Sequence, residues 1–253
     1  MSRNPLQTND SSILIRHIDP KTVTDPALTE AMIGWLDQTE RARYQRFNQS
    51  EHRHAFLISH ALTRKMLANE LSCAPAEIRF GVTGRDKPIL TAPTPTKPLH
   101  FNLTHTRGLA AVALSTEPIG LDIECLARNA PGPELAQRYF TVAEQADIQN
   151  QPPAEQKQRF LTYWTLKEAF LKAQAWGIVD SLNGFEFELT PPDHSSAQDI
   201  RLRILDAKLS PIQPWRFHHC TIASDHLLSL AFSARLGPAV EIDLRAWSAE
   251  DWE

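Results

Sequence analysis

Two short stretches of the chain place acids where the surrounding residues demand burial. In Ile119-Gly120-Leu121-Asp122-Ile123-Glu124, aliphatic residues alternate with Gly120, Asp122 and Glu124. As a strand, this segment turns Ile119, Leu121 and Ile123 to one face and both acids to the other. Two carboxylates side by side repel each other and are costly to remove from water unless a cation or a shared proton compensates them.

The second stretch is Trp164-Thr165-Leu166-Lys167-Glu168-Ala169-Phe170-Leu171-Lys172. From Phe160 to Lys172, apolar residues occupy most of a helical circumference, the pattern of a buried helix rather than a surface helix with one apolar stripe. Trp164, Glu168 and Lys172 recur at i, i+4 and i+8, so one face presents an aromatic ring, a carboxylate and an ammonium in a row. The same spacing suits an ordinary Glu168–Lys172 salt bridge. The strand acids favour a shared site instead.

These stretches resemble the signature motifs of the 4′-phosphopantetheinyl transferases, in particular the surfactin-type branch. That family pattern is a hydrophobic-Gly-hydrophobic-Asp-x-Glu strand followed by Trp-(Ser/Thr/Cys)-x-Lys-Glu-(Ala/Ser)-hydrophobic-x-Lys, and the chain fits each position. Upstream, Asn102-Leu103-Thr104-His105-Thr106 resembles the family's Asn-(Ile/Leu)-Ser-His-Ser motif, with threonine hydroxyls replacing serine. Gly84-Arg85-Asp86-Lys87-Pro88 is similar to its Gly-Lys-Pro segment, with Asp86 where glycine is usual.

The resemblance implies an α+β fold of two similar α/β halves in a pseudo-twofold arrangement, with the active site in the cleft between them. It assigns residues 1–117 to coenzyme A contacts and residues 118–253 to the metal site and a carrier-facing segment. It also implies transfer of 4′-phosphopantetheine from coenzyme A to a serine of an apo acyl or peptidyl carrier protein, releasing adenosine 3′,5′-bisphosphate. Asp122, Glu124 and Glu168 are hard oxygen ligands suited to Mg²⁺ or Mn²⁺. Lys172 is expected to stabilise or protonate the leaving phosphate, and Glu168 or a metal-bound water to accept the serine proton. Lys167 is left to helix stabilisation or a coenzyme A contact. The segment 126–154, with Leu135, Tyr139 and Phe140 among polar residues, is expected either to cap the core or to receive a carrier helix.

Other candidates fall earlier in the chain. On a helix spanning Ser50–Leu71, Arg53, His60 and Arg64 lie within roughly 20° of one another at about 100° per residue. That line suits a solvated basic face as well as a phosphate site. The resemblance assigns Arg53, Arg64 and Lys87 to the 3′-phosphate of coenzyme A, and Thr104 and His105 to its phosphates. His218 and Cys220 can share a strand face, but no further ligand pair supports zinc.

The elements that must position these residues follow from local pattern. Strands are expected at Ile13–Ile18, Ile78–Val82, Ile89–Leu90, His100–Leu103, Leu109–Ser115, Phe185–Leu189, Arg201–Leu205, Arg216–Ile222 and Leu227–Ala234. Helices are expected at Asp25–Leu36, Ser50–Leu71, Pro133–Gln149 and Glu155–Trp176. Pro93, Pro95 and Pro98 mark a loop, as does Pro191–Ser196, and the tail after Gly237 reads as irregular.

Composition fits this reading. The chain has 253 residues, 42% of them apolar, and a formal net charge of −4. That charge, with no basic run, argues against nucleic-acid binding. Cys73, Cys125 and Cys220 form no Cys-x-x-Cys pair, so neither a disulfide framework nor a zinc site is indicated and a reducing cytoplasm is expected. The first twelve residues are polar, and no stretch reaches membrane-spanning length. Two halves in one chain lead to the expectation of a monomer. A metal-dependent phosphohydrolase could use the same acids, and a silent coenzyme A or carrier-binding protein could retain them.

Overall fold

The computed structural model describes residues 12–83, 87–127, 133–176, 182–190, 199–209, 211 and 213–253. Gly84, Arg85 and Asp86, and the loop expected at 191–196, lie outside them. In chain order the elements are β1 (Ser12–Ile18), α1 (Pro26–Trp35), α2 (Gln38–Gln45), α3 (Ser50–Leu71), β2 (Arg79–Val82), β3 (Pro88–Ala92), β4 (His100–Thr106), β5 (Leu109–Ser115) and β6 (Ile119–Cys125). They continue with α4 (Pro133–Tyr139), α5 (Val142–Asn150), α6 (Pro153–Gln174), β7 (Phe185–Leu189), β8 (Ile200–Ile204), β9 (Trp215–Ile222), β10 (His226–Ser233) and β11 (Glu241–Ala246). The fold is α+β, and the chain divides into two compact units: Met1–Pro118 with Leu236–Glu253, and Ile119–Arg235.

In the first unit a four-stranded sheet in the order β11-β1-β5-β4 carries α3. All seven residues of β5 are buried, as a central strand covered on both faces must be. Helix α3 supplies Leu57, Ile58, Ala61, Leu62, Met66 and Leu67 to this core and ends at Ser72 in a left-handed cap (φ 53°). In the second unit a sheet in the order β6-β10-β9 carries α6, with β7 and β8 as a separate antiparallel pair. Helix α6 also ends in a left-handed cap, at Ala175 (φ 54°). Each unit thus sets one 22-residue helix against a mainly antiparallel sheet.

Three expectations change. Helix α2 was not anticipated, because Gln-Thr-Glu-Arg-Ala-Arg-Tyr-Gln has no apolar stripe; its signal is the capping box between Asp37 and Glu40. The single helix expected at Pro133–Gln149 is broken into α4 and α5, where Thr141 caps α5 in a capping box with Glu144. The tail after Gly237 is ordered rather than irregular: β11 pairs parallel to β1 from Ser12↔Glu241 to His17↔Ala246 and thereby belongs to the first unit. Buried Arg16 secures it by donating to Asp243 through both terminal nitrogens. No helix among the described residues is long and apolar enough to cross a membrane.

Candidate active site

The second unit brings the strand acids and the helix together. Gly120 is the reason they can meet. A Cβ at this position would overlap Ala169 O and the backbone of Ala173, so β6 and α6 approach backbone to backbone. Asp122 and Glu124 alternate with Gly120 and therefore share its helix-facing side. All three acids are nearly buried: Asp122 is 6% exposed, Glu124 7% and Glu168 7%.

Lys172 reaches across to the strand. Its Nζ donates to Asp122 Oδ1 at 2.6 Å and to Leu121 O at 3.2 Å. Glu168 is less well compensated. Its Oε1 is buried and has no hydrogen-bond partner among the described residues. Burial first, then the charges of Asp122 and Glu124, push its carboxyl up to about 7, against a smaller opposing effect of Lys172. Among the described residues, no group of three or more His, Cys, Asp or Glu converges tightly enough to hold a metal ion unaided. The donor set nevertheless fits Mg²⁺, which commonly takes one or two carboxylates and completes its sphere with water and substrate phosphate. A buried carboxylate oxygen without a donor, repelled by two further acids, is the feature such a cation would satisfy.

Trp164 of the helix motif serves packing. It stacks on Phe160 (6.2 Å between centroids, 15° between planes) and meets Tyr139 edge-on at 6.1 Å. Lys167 is fully buried and pairs with Glu144 at 3.0 Å, so burial rules out a direct coenzyme A contact. His218 and His219 are pulled below the ordinary histidine range by burial, His219 to about 4. Neutral His219 bonds Ser229 through Nδ1 at 2.9 Å and Thr162 through Nε2 at 3.3 Å, a structural role.

In the first unit the expected phosphate contacts separate. Arg64 is corrected: it has no exposed surface, and all five of its N–H groups are engaged, by Glu40, Asp37, Pro75 O and Ile78 O. No donor remains for a phosphate. Arg53 turns back to Phe47 O through Nε (3.1 Å) and Nη2 (2.6 Å). His60 Nδ1 meets Glu40 Oε1 at 2.7 Å. Burial opposes ionisation of Glu40, yet His60 and Arg64 together hold its carboxyl below the usual range. Lys87 is partly buried, and that desolvation draws its ammonium down to about 8. Thr104 is buried and His105 exposed on β4, as strand alternation requires.

A cavity of about 510 Å³ lies in this unit, walled by Phe56, Phe80 and Phe101 and edged by Arg43, His60 and Asn102. Aromatic walls with the Arg43 guanidinium and the Asn102 amide among the lining groups suit a nucleotide base, although Asp37 and Glu40 also line the cavity. Arg43, whose guanidinium lies 5.4 Å from the Phe56 ring centroid, was missed from sequence because it sits on the unanticipated α2.

Residues 118–231 match the 4′-phosphopantetheinyl transferase superfamily model, and residues 25–117 match the model for the N-terminal part of 4′-phosphopantetheinyl transferases. The chain therefore belongs to the 4′-phosphopantetheinyl transferase superfamily and is a transferase. It is 35% identical to 4′-phosphopantetheinyl transferase HetI of Nostoc sp. over 164 residues, covering 64% of this chain and 69% of that protein. It is 31% identical to a 4′-phosphopantetheinyl transferase of Bacillus subtilis over 170 residues, or 67% and 73% of the two chains. With 4′-phosphopantetheinyl transferase Sfp of Bacillus subtilis it shares 28% identity over 162 residues, 63% of this chain and 69% of that one.

Proposed function

We propose that this chain transfers 4′-phosphopantetheine from coenzyme A to a serine of an apo acyl or peptidyl carrier protein in a Mg²⁺-dependent reaction that releases adenosine 3′,5′-bisphosphate. The observation that carries this reading is the close crossing of β6 and α6 at Gly120, which gathers Asp122, Glu168 and Lys172 into one buried charged group. The serine oxygen forms a bond to the β-phosphorus of coenzyme A, the bond from that phosphorus to the bridging oxygen breaks, and the adenosine bisphosphate leaves with the electron pair.

Asp122, Glu124 and Glu168 are the side chains that would hold Mg²⁺ or Mn²⁺. When bound, such an ion supplies charge neutralisation and alignment at the pyrophosphate. Glu168 or a water held beside it is the candidate acceptor of the serine proton. Lys172 offers an ammonium to the leaving phosphate once a cation competes for Asp122. The first unit is assigned the nucleotide end: the aromatic cavity takes the base, and Arg43, His60, Lys87 and His105 are the candidate phosphate contacts, with Arg53 secondary and Thr104 a supporting hydroxyl.

The test is mass spectrometry of an apo carrier incubated with the protein, coenzyme A and Mg²⁺. A phosphopantetheine adduct supports transfer. Hydrolysed coenzyme A alone points to a phosphohydrolase, and binding without turnover to a silent module. Asp122→Ala should fold and abolish the adduct; full modification by that variant would remove the metal-site assignment.

A further inference from the structure

We infer that Lys167 and Glu144 form a buried positioning pair that sets the rotation and axial register of α6, and through α6 the placement of Glu168 in the reaction proposed above. Lys167 has no exposed surface and Glu144 only 1%. Lys167 Nζ uses its three donors on three separate acceptors: Leu182 O at 2.6 Å, Phe185 O at 2.7 Å and Glu144 Oε2 at 3.0 Å. Glu144 is equally committed. Its Oε2 also accepts the Thr141 N–H at 3.0 Å, and its Oε1 accepts the Phe187 N–H at 3.0 Å. Thr141 in turn donates to Glu186, which Arg203 holds at 2.8 Å. The pair thus ties α6 to the first turn of α5 and to β7.

A buried ion pair is a poor way to add stability, because apolar side chains of similar size often do as well or better. The Phe140 and Phe185 rings beside it are apolar, but apolar replacements would leave the backbone groups bonded to the pair without partners. Directional bonding is what the ions add. At about 100° per residue, Ala169 and Ala173, which touch Gly120, lie about 200–240° around α6 from Lys167. The helix is therefore held on two opposed sides. Glu168 and Lys172 fall between them, about 100–140° from Lys167.

Such a clamp has a force to resist. Glu168 is repelled by Asp122 and Glu124, and that repulsion acts to turn or lift α6 away from β6. A rotation of about 10° moves a carboxylate some 6 Å from the helix axis by about 1 Å, a displacement that can cost about 100-fold in rate. Loss of the pair should leave the helix in place and loosen this alignment.

The experiment compares wild type with the double variant Lys167→Met, Glu144→Leu, following carrier modification by mass spectrometry and folding by thermal melting and far-ultraviolet circular dichroism. The expected result is a folded protein with a lowered melting temperature, because Leu182 O, Phe185 O and the Thr141 and Phe187 N–H groups lose their buried partners. Its kcat should fall about 10- to 100-fold, with KM for coenzyme A and for the carrier within about threefold. Half-activity should also need more Mg²⁺. Lys167→Met alone is measured in the same way should the double variant not fold, since Glu144, whose carboxyl burial pushes up, can then be protonated. Wild-type kcat in either folded variant overturns the inference. Absence of transfer by the wild-type protein counts instead against the transferase reading.

Discussion

Glu168 concentrates the electrostatic cost of the site in one side chain. Its folded carboxyl, near 7, lies above the ordinary value of 4.5 because burial and the acids of β6 disfavour its charge. The folded state therefore holds the proton more tightly than the unfolded chain. Stability from this group is full below about 4.5 and declines as pH rises towards 7, by on the order of 3 kcal/mol. Glu168→Gln removes the penalty, so its melting temperature at pH 8 should exceed that of wild type by roughly 5–10 °C, with no gain at pH 4.5. Carrier modification should fall at least about 100-fold in the same variant. In wild type, Mg²⁺ should raise the melting temperature more at pH 8 than at pH 6, since the ion competes with that proton; a pH-independent shift would contradict it. Arg64 shows the opposite relation between charge and function. Its position on a basic helical face suggested a ligand contact, but Asp37 and Glu40, distant in sequence, saturate it.

At the scale of elements, the contact between β6 and α6 decides whether the acids can form a group at all. A methyl group at Gly120 has no room against Ala169 O and Ala173 N, both backbone atoms that cannot rotate aside. Gly120→Ala should cost about 3 kcal/mol or more, read as a lower urea midpoint, and should abolish transfer even where the protein remains folded. Unchanged stability would mean that the two elements separate without penalty. Most elements were legible because each carries its own periodicity: α3 spans Ser50–Leu71 as the sequence predicts, and β6 carries its acids on alternate positions. The α4–α5 break carries a local signal too, the Thr141-Val142-Ala143-Glu144 capping box, which the expectation of one continuous helix neglects; only the Thr141 bond to Glu186 depends on a later strand.

For the whole molecule, the chain's last segment completes its first unit. Strand β11 pairs with β1, and Trp247 and Trp252 pack edge to face at 5.4 Å beside Trp35. A chain ending at Gly237 would expose an edge of β1 and leave Arg16 buried without Asp243. Removing the partner of a buried charge costs about 3–5 kcal/mol. Such a truncation should therefore be poorly soluble, or show rapid proteolysis within Met1–Pro118, whereas a protease pattern like that of the full chain would argue that β11 is dispensable. No local signal could have paired this strand. Glu-Ile-Asp-Leu-Arg-Ala has the alternation of a strand, but it is short, and its pairing partner lies at the other end of the chain.

The order of residues along single elements determined that Asp122 and Glu124 share a face, that α6 is buried nearly all round, and that both match a known pair of motifs. Those properties depend on alternation and helical repeat, which are local. Only the tertiary structure decided that Lys172 reaches Asp122, that Lys167 turns to Glu144, that Arg64 is spent on Glu40 and Asp37, and that β11 returns to β1. A side chain's type states what charge or hydrogen bond it needs. Which of many distant groups satisfies it is settled by packing, because burial selects the arrangement that leaves the fewest polar groups without a partner.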